Sequence, residues 1–324
     1  MNTLTRRRWM QAAGASAGLA AADTLLAAPK SKSDSLATQL YKSLSDEQKA
    51  KVCLPVDHPK RHFISNWWYV HPEHRIPATF TREQQELIRT IFDGMHSPEH
   101  REAVNTQVLL DQYGEAKNAP SAGFFGTPAD DRFEFIFTGH HVTRRCLARS
   151  EKGLGFGGAP VFYGHYPHPE KNGRENFNEV KEHPGNPYWY QGKLFNKFVQ
   201  ALDGRQRAMG LVTAEPRGEQ PEAVVQIATE KRGLPCGELS GDQKRLFLET
   251  MRGMMGMFRE DDVRATMETI RKRDLISQVR VSWFGGQYDI GSDGVWDTWQ
   301  IEGPGMVWYF RGVPHIHCYL QVGG

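Results

Sequence analysis

The C-terminal part of the chain, from Gln278 onward, places the strongest constraint on the fold. Glycine-containing turns at 285–286, 291–294 and 303–305 divide it into short segments that are rich in β-branched and aromatic residues. Short strands separated by tight turns pair with their neighbours in the sequence, because the connections are too short to reach a distant partner. The sequence therefore predicts an antiparallel meander in this region.

A second strand signal lies in the middle of the chain, where phenylalanine occupies every second position from Phe133 to Phe137. This alternation is typical of a strand that buries one face. We expect the strand to continue through His140 and His141. We also expect the strand around 133–146 to belong to the same antiparallel sheet as the meander.

Helix starts are marked by three capping boxes, in which a Ser or Thr is followed three residues later by Gln. The boxes begin at Ser45, Thr81 and Ser240, and apolar residues recur at helical spacing after the last two. The helices are grouped before and between the strands without regular alternation, which favours an α+β fold. We therefore predict an antiparallel sheet packed with N-terminal and mid-chain helices.

Residues 1–28 have the pattern of an export signal. Arg6, Arg7 and Arg8 precede an apolar, small-residue stretch that ends near Ala28 and is too short and weakly apolar for a permanent membrane span. The paired arginines resemble a twin-arginine signal, with an ordinary secretory signal and a retained anchor as alternatives. We predict transport by the twin-arginine export machinery and a periplasmic or secreted location. No linker divides the rest, so residues 29–324 are expected to form a single α+β domain.

The composition excludes a disordered chain and gives no support for binding to nucleic acid. The chain has 40 Lys and Arg residues against 38 Asp and Glu residues, a formal net charge of +2, and 39% hydrophobic residues. A disordered chain would carry a larger net charge and fewer apolar residues, and nucleic-acid binding would call for an excess of positive charge. We therefore expect a folded protein whose ligand is a small molecule and not a nucleic acid.

Several of the 13 histidines are grouped in strand-like segments, and these groups carry the functional prediction. His315 and His317 are two positions apart, so in a strand both imidazoles point to the same side. Ile316 and Cys318 begin the other face, which is apolar as far as Val322 and is expected to face the core. An imidazole pair of this kind is a common way to hold one metal ion.

His140 and His141 are adjacent and cannot share one face of a regular strand. Position 141 continues the row of phenylalanines, so if that row lines the pocket, His141 is the expected ligand and His140 a neighbouring group. A bulge at Gly139 would exchange the two roles.

The predicted metal site combines these groups. Its ligands are His141, His315 and His317, with His165 or His140 as a fourth nitrogen ligand and Glu302 or Tyr309 as an oxygen donor. A nitrogen-rich set favours a transition metal ion such as copper, zinc, iron or nickel over calcium or magnesium. Two other interpretations stay open: the histidines form hydrogen bonds without a metal, or they serve as acid–base groups or anchors for an anionic substrate.

The 4 cysteines include no CxxC pair, which excludes a zinc knuckle and a thioredoxin motif. If the strands that carry Cys146 and Cys318 pair with each other, the two side chains lie on the face opposite the histidines, where they can form a disulfide. Unpaired, buried thiols are the alternative.

Several groups of residues, in order along the chain, match a known family pattern. They are Trp68-Tyr69 with Pro72 and Arg75, the stretch from Thr81 to Gln112, Phe125 to Pro128, Phe137 to His141, and Ile301 to Pro304 leading to His315-Ile316-His317. In these segments the chain resembles the family catalogued as domain of unknown function 3500. The resemblance covers most of the chain but implies no activity, so the functional prediction rests on the residues themselves.

These observations predict an exported, metal-dependent enzyme whose histidine-lined pocket acts on a small organic substrate, oxidatively or hydrolytically. The alternative is a non-catalytic periplasmic protein that binds a metal ion or a small ligand. A third interpretation gives the histidines a structural role only.

Overall fold

The structure is a computed structural model that describes residues 32–149, 155–165, 187–213, 232–289, 295–312 and 315–323. The export signal predicted at 1–28 lies outside these residues. Within the described ranges, every helix is too short or too polar to span a lipid bilayer.

Three of the described helices begin at the capping boxes that the sequence predicts. The described helices are α1 Lys32–Ser43, α2 Asp46–Val52, α3 Ile76–Thr79, α4 Arg82–Gly94, α5 Arg101–Leu110, α6 Tyr190–Gln200, α7 Gly204–Gly210, α8 Gly241–Met254, α9 Glu260–Lys272 and α10 Leu275–Gln278. Ser45, Thr81 and Ser240 form complete capping boxes at the starts of α2, α4 and α8. Each box satisfies backbone amides that have no partner within the helix. A further box, Asp203 with Gln206, starts α7.

The strands form one mostly antiparallel sheet. They are β1 Cys53–Leu54, β2 Ser121–Phe125, β3 Phe133–Gly139, β4 Val142–Arg149, β5 Val161–His165, β6 Leu211–Val212, β7 Leu234–Pro235, β8 Arg280–Phe284, β9 Thr298–Gly303, β10 Met306–Arg311 and β11 Ile316–Val322. Their order is β1-β2-β3-β4-β5-β11-β10-β9-β8-β6, and β7 also pairs with β8. Among the strands that the structure describes, only β1 with β2 and β6 with β8 are parallel. Because β8 to β11 pair in sequence order, the predicted meander is confirmed, and the fold is α+β.

One face of the sheet packs against the helices to form the main core. Phe135 of β3 and Ile316 of β11 lie in the same apolar cluster as Ile91 of α4, Phe195 of α6 and Phe247 of α8. The apolar face predicted from Ile316 to Val322 is therefore confirmed. The row from Phe133 to Phe137 also belongs to this core, so it does not line a pocket as the sequence interpretation assumed.

The segment predicted as one strand around 133–146 is two strands. Gly139 pairs with Val142, so His140 and His141 form the two-residue turn of the β3–β4 hairpin. His141 has φ 55°, a left-handed conformation that a tight turn uses and a strand does not. The pair lacks the Asn-Gly or Asp-Gly signal of such turns, so the sequence gives no sign that β3 ends before His140.

The pairing of β5 explains why the predicted disulfide is wrong. β5 lies between β4 and β11, so Cys146 of β4 and Cys318 of β11 are not on neighbouring strands. Both side chains point into the main core, but the structure has all 4 cysteines as free thiols. Cys146, Cys236 and Cys318 are buried and Cys53 is half-buried.

Candidate metal centre

Three of the predicted ligands converge on the face opposite the main core. The ligand nitrogens of His141, His315 and His317 all lie within 4.8 Å of one another. The Nε2 atoms of His141 and His317 are 2.8 Å apart. The ring centre of His315 lies 5.2 Å from that of His141 and 4.4 Å from that of His317. The structure thus joins the histidine pair of the meander to the turn of the β3–β4 hairpin.

Pairing on both sides of β5 brings these distant residues together. Gly164 of β5 lies opposite His317 of β11, and its amide donates to the carbonyl oxygen of His141 at 3.1 Å. The amide of His141 donates to the carbonyl oxygen of Asn66 at 2.7 Å, which holds the turn from its other side. The backbone therefore sets the position of His141 independently of any ligand.

Gly164 leaves the space that two of the imidazoles occupy. A Cβ atom at position 164 would lie 3.0 Å from Cδ2 of His141 and 3.2 Å from Cδ2 of His317. It would also lie 2.5 Å from the carbonyl oxygen of Ile316. These distances are shorter than the 3.5–4.0 Å optimum between non-bonded carbon atoms. Any side chain at this position would push the rings or the strands apart.

Asp111, which follows α5, determines the tautomer of His141. Oδ2 of Asp111 lies 2.9 Å from Nδ1 of His141, and both side chains are 1% exposed. A carboxylate can only accept, so Nδ1 of His141 carries the proton and Nε2 presents its lone pair toward His317. In metal sites the second nitrogen of a ligating imidazole commonly donates to such a carboxylate.

A chain of buried hydrogen bonds holds Asp111 in turn. Nε2 of Gln107 donates to Oδ2 of Asp111 at 2.7 Å, and the hydroxyl of Tyr188 donates to the amide oxygen of Gln107 at 2.7 Å. The Tyr188 oxygen accepts from the guanidinium of Arg144 at 3.4 Å. Every donor in this series of hydrogen bonds points toward Asp111, so the series fixes the position of its carboxyl group.

Burial keeps the three imidazoles neutral. It lowers the pKa of His141 to about 3, with positive Arg311 as a further cause. Burial, followed by the neighbouring His141 and Arg311, lowers the pKa of His315 to about 2. The same causes lower the pKa of His317 well below its usual value. The neutral imidazole is the form that binds a metal ion, so no proton has to be displaced from these rings at neutral pH.

His140 lies beside the three histidines and faces a different partner. Its ring stacks on that of His141 with centres 3.8 Å apart. Its Nδ1 lies 3.1 Å from the carbonyl oxygen of Asp111. Asp111, His140 and His141 form a second group whose ligand atoms lie within 4.8 Å of one another. His140 is therefore adjacent to the main group and shares His141 with it.

His165 is a neighbour of the site on the other side of the sheet. It lies opposite Ile316, and the pleat of β5 places it on the same side as Val161 and Tyr163, which belong to the main core. The side chains of His141 and His317 lie on the side of Gly164. The structure therefore does not bring His165 into the group of three.

Glu302, one of the two oxygen donors suggested by the sequence, lies apart from the histidines. Glu302 pairs with Val307 at one end of β10, whereas His317 pairs with Arg311 at the other end. The carboxylate of Glu302 accepts from Gln300 at 2.8 Å. Tyr309 lies on the histidine face, and its ring packs on that of Tyr319 with centres 5.1 Å apart. The structure supplies Asp111 as the carboxylate of the site instead.

Sequence reasoning missed Asp111 and Gly164. Asp111 follows a helix whose pattern gives no sign that its end reaches a turn 30 positions later. Gly164 precedes a histidine, but nothing in the sequence shows that two imidazoles from other strands would cover it. Both roles arise from the sheet order.

The chain matches the family described as "Protein of unknown function (DUF3500)" over residues 27–320. The chain belongs to this family. The resemblance noted from the sequence is thus confirmed for nearly the whole chain. No curated protein and no solved structure gives a significant match. Because the description of DUF3500 carries no activity, the function has to be inferred from the histidine site.

Proposed function

We infer that the protein binds one transition metal ion through His141, His315 and His317. The observation that carries this proposal is the convergence of their ligand nitrogens within 4.8 Å, with the proton of His141 held on Nδ1 by Asp111. A tetrahedral ion with bonds of about 2.05 Å separates two ligand nitrogens by about 3.3 Å. A small outward movement from 2.8 Å turns the His141–His317 contact into such a pair.

Metal binding requires one proton to move within the site. Without a metal ion, the Nε2 lone pair of His141 accepts the Nε2 proton of His317. When both Nε2 atoms are ligands, that proton resides on Nδ1 of His317, and the ring stays neutral. The lowered pKa values of both imidazoles favour this neutral state.

The three ligands differ in exposure, which indicates the side from which a substrate reaches the site. His141 and His317 are buried, whereas His315 is half-buried, so a small organic substrate reaches the site from the side of His315. A metal ion with an open position supplies Lewis-acid or redox chemistry. The proposed function is therefore that of a metal-dependent enzyme that acts on a small organic substrate, by oxidation or by hydrolysis. Residues 1–28 support export through the twin-arginine machinery to a periplasmic or secreted location.

Elemental analysis tests the metal site. The full chain, exported by its own signal, is compared with a His315→Ala/His317→Ala variant and with His62→Ala, which removes another half-buried histidine. We expect about one metal ion per chain in the wild type and in His62→Ala, and almost none in the double variant. Almost no metal in the wild type, or equal metal in all three proteins, contradicts the proposal.

Processing of the signal is tested separately. Replacing Arg6 and Arg7 by lysine should leave the precursor in the cytoplasm, whereas the wild type should be cleaved near Ala28 and exported. Mass spectrometry of the two proteins gives the answer. Export of the lysine variant at the wild-type level would contradict the twin-arginine route.

A non-catalytic metal-binding protein is the second candidate, and the near-complete burial of His141 and His317 favours it. A carrier encloses its ion, while an enzyme leaves a position for substrate. Binding of azide to the cobalt-loaded protein distinguishes the two, since an open position changes the visible cobalt spectrum when the anion binds. An unchanged spectrum at saturating azide favours the carrier.

A further inference from the structure

We propose that this site exchanges single electrons with a partner at the protein surface through a stack of three rings that ends at Trp67. The inference rests on the proposed metal site. The ring of His140 stacks on the proposed ligand His141 with centres 3.8 Å apart and planes 28° apart. The indole of Trp67 in turn stacks on the ring of His140, with centres 4.3 Å apart and planes 24° apart.

The stack leads from the interior to solvent. His141 is 1% exposed, His140 is 6% exposed and Trp67 is 48% exposed. Trp67 is the most exposed tryptophan or other large aromatic residue of the described part of the chain. Trp67 is therefore the ring of the stack that an external partner can reach.

Backbone contacts fix the stack in place. Trp67 and His140 form an isolated antiparallel bridge, and the amide of His141 donates to Asn66, the residue before Trp67. Nε1 of Trp67 donates to the hydroxyl of Tyr69 at 2.9 Å, which sets the direction of the indole. The ring contacts are therefore held by the chain and do not depend on loose side-chain packing.

The chemistry of the rings suits transfer of one electron. Electronic coupling decreases steeply with distance, and contiguous stacked rings leave no gap for the electron to cross. Indole and phenol are among the side chains that are easiest to oxidise, and Tyr113 places a phenol 5.5 Å from His140 and 6.4 Å from Trp67. The guanidinium of Arg75 lies 3.1 Å from the centre of the Tyr69 ring, so its charge opposes electron loss from Tyr69. Trp67 stacks directly on His140 and is more exposed than Tyr113, so it is the outer terminus.

The electron balance defines the class of partner and limits which metal ions the site can use for this transfer. With copper bound, a one-electron carrier at the Trp67 surface would be oxidised by one electron, and that electron would pass through Trp67, His140 and His141 and reduce Cu(II) to Cu(I). Zinc has no redox chemistry in proteins, so a path for electrons would not serve a zinc site. The stack therefore favours a redox-active ion, copper or iron, and favours oxidation over hydrolysis as the proposed reaction.

The test uses the full chain loaded with Cu(II) and hexaammineruthenium(II) as the one-electron donor. Rapid freezing and the EPR signal of Cu(II) give the rate of reduction. Trp67→Leu removes the outer ring and Trp67→Phe keeps a smaller one, while Leu211→Ala alters a residue of similar exposure, 40%, far along the chain. We expect Trp67→Leu to slow reduction at least tenfold, Trp67→Phe to give an intermediate rate, and Leu211→Ala to match the wild type.

The outcomes separate the two proposals. Equal copper content in all four proteins, measured beforehand, shows that the substitutions leave the site intact. If Trp67→Leu is then reduced as fast as the wild type, or faster, the electron route is wrong and the metal site stands. If none of the proteins binds copper or any other transition metal ion, the proposed function itself is wrong.

Discussion

The Nε2 atoms of His141 and His317 lie 2.8 Å apart although the residues are 176 positions apart in the chain. Each ring is placed by its own strand pairing, and Gly164 lies beneath both. Two imidazoles at this distance share one proton without a metal ion and can share one ion when it is present. This relationship is the basis of the predictions on the site.

Gly164→Ala should remove metal binding. The added Cβ would lie 3.0 Å and 3.2 Å from the two imidazoles and 2.5 Å from a backbone oxygen, and the backbone oxygen cannot move away cheaply. We expect at least a tenfold loss of affinity for cobalt, measured by titration with a competing chelator, and a lower free energy of unfolding. Gly204→Ala is the matched control, because a Cβ there meets no atom within 4 Å. Equal affinity in the two variants would show that the rings do not depend on this space.

Asp111→Asn should weaken metal binding through loss of charge. Both hydrogen bonds to the carboxylate, from Gln107 and from His141, end on Oδ2, so an amide oxygen in this place can still accept them. The substitution therefore tests the charge more than the geometry. Changes to such outer partners typically reduce affinity or activity by about 10–100-fold, and we expect a loss in this range by calorimetry. An unchanged affinity would make Asp111 a structural residue only.

Tyr188→Phe should reproduce part of this effect from a distance. The hydroxyl links Arg144 to Gln107, and its loss leaves the buried amide oxygen of Gln107 without its donor. We expect the free energy of unfolding to fall by about 1–3 kcal/mol. Metal affinity should fall less than in Asp111→Asn. A decrease in stability with no change in affinity would limit the chain of hydrogen bonds to a structural role.

Acid should destabilise the fold through buried histidines outside the site. Burial, with a smaller effect of Lys60, lowers the pKa of His71 to about 4. The folded state holds this ring neutral, while the unfolded chain protonates it below about pH 6.5, so stability is lost as pH falls from there toward 4. Between pH 7 and pH 5 the loss due to His71 is roughly 2 kcal/mol. Urea unfolding at both pH values should show a smaller decrease for His71→Gln than for the wild type; parallel decreases would contradict the assignment.

The cysteines should behave as thiols. Burial raises the pKa of Cys236 to about 12 and that of Cys318 further, so neither ionises at neutral pH. Thiol titration with an aromatic disulfide reagent should give little reaction in the folded protein and 4 thiols per chain after unfolding. A reductant should leave the melting temperature unchanged. Only two thiols after unfolding would restore the disulfide hypothesis.

Local signals in the sequence determined much of the fold. The capping boxes at Ser45, Thr81 and Ser240 are complete in α2, α4 and α8, because a helix start involves only residues within one turn. The meander from β8 to β11 follows from glycine-containing turns, which favour pairing between strands that are neighbours in the sequence. The same local alternation put His315 and His317 on the side away from Ile316.

What the sequence could not determine depends on contacts between distant residues. The sequence predicts a continuous strand through His140 and His141, because a left-handed φ at a histidine has no pattern in the sequence. It also predicts Glu302 as an oxygen donor, but strand register places Glu302 at the other end of β10 from His317.

The sequence by itself therefore determined the family, the α+β class and which histidines share a side of a strand, since these depend on local periodicity and on short motifs. Only the tertiary structure decided that β5 lies between β4 and β11. That sheet order separates Cys146 from Cys318 and places His141 and His317 over Gly164, while the end of α5 places Asp111 beside Nδ1 of His141. Sheet order is set by the burial of whole faces and by the pairing of strands far apart in the chain, and no local pattern records it.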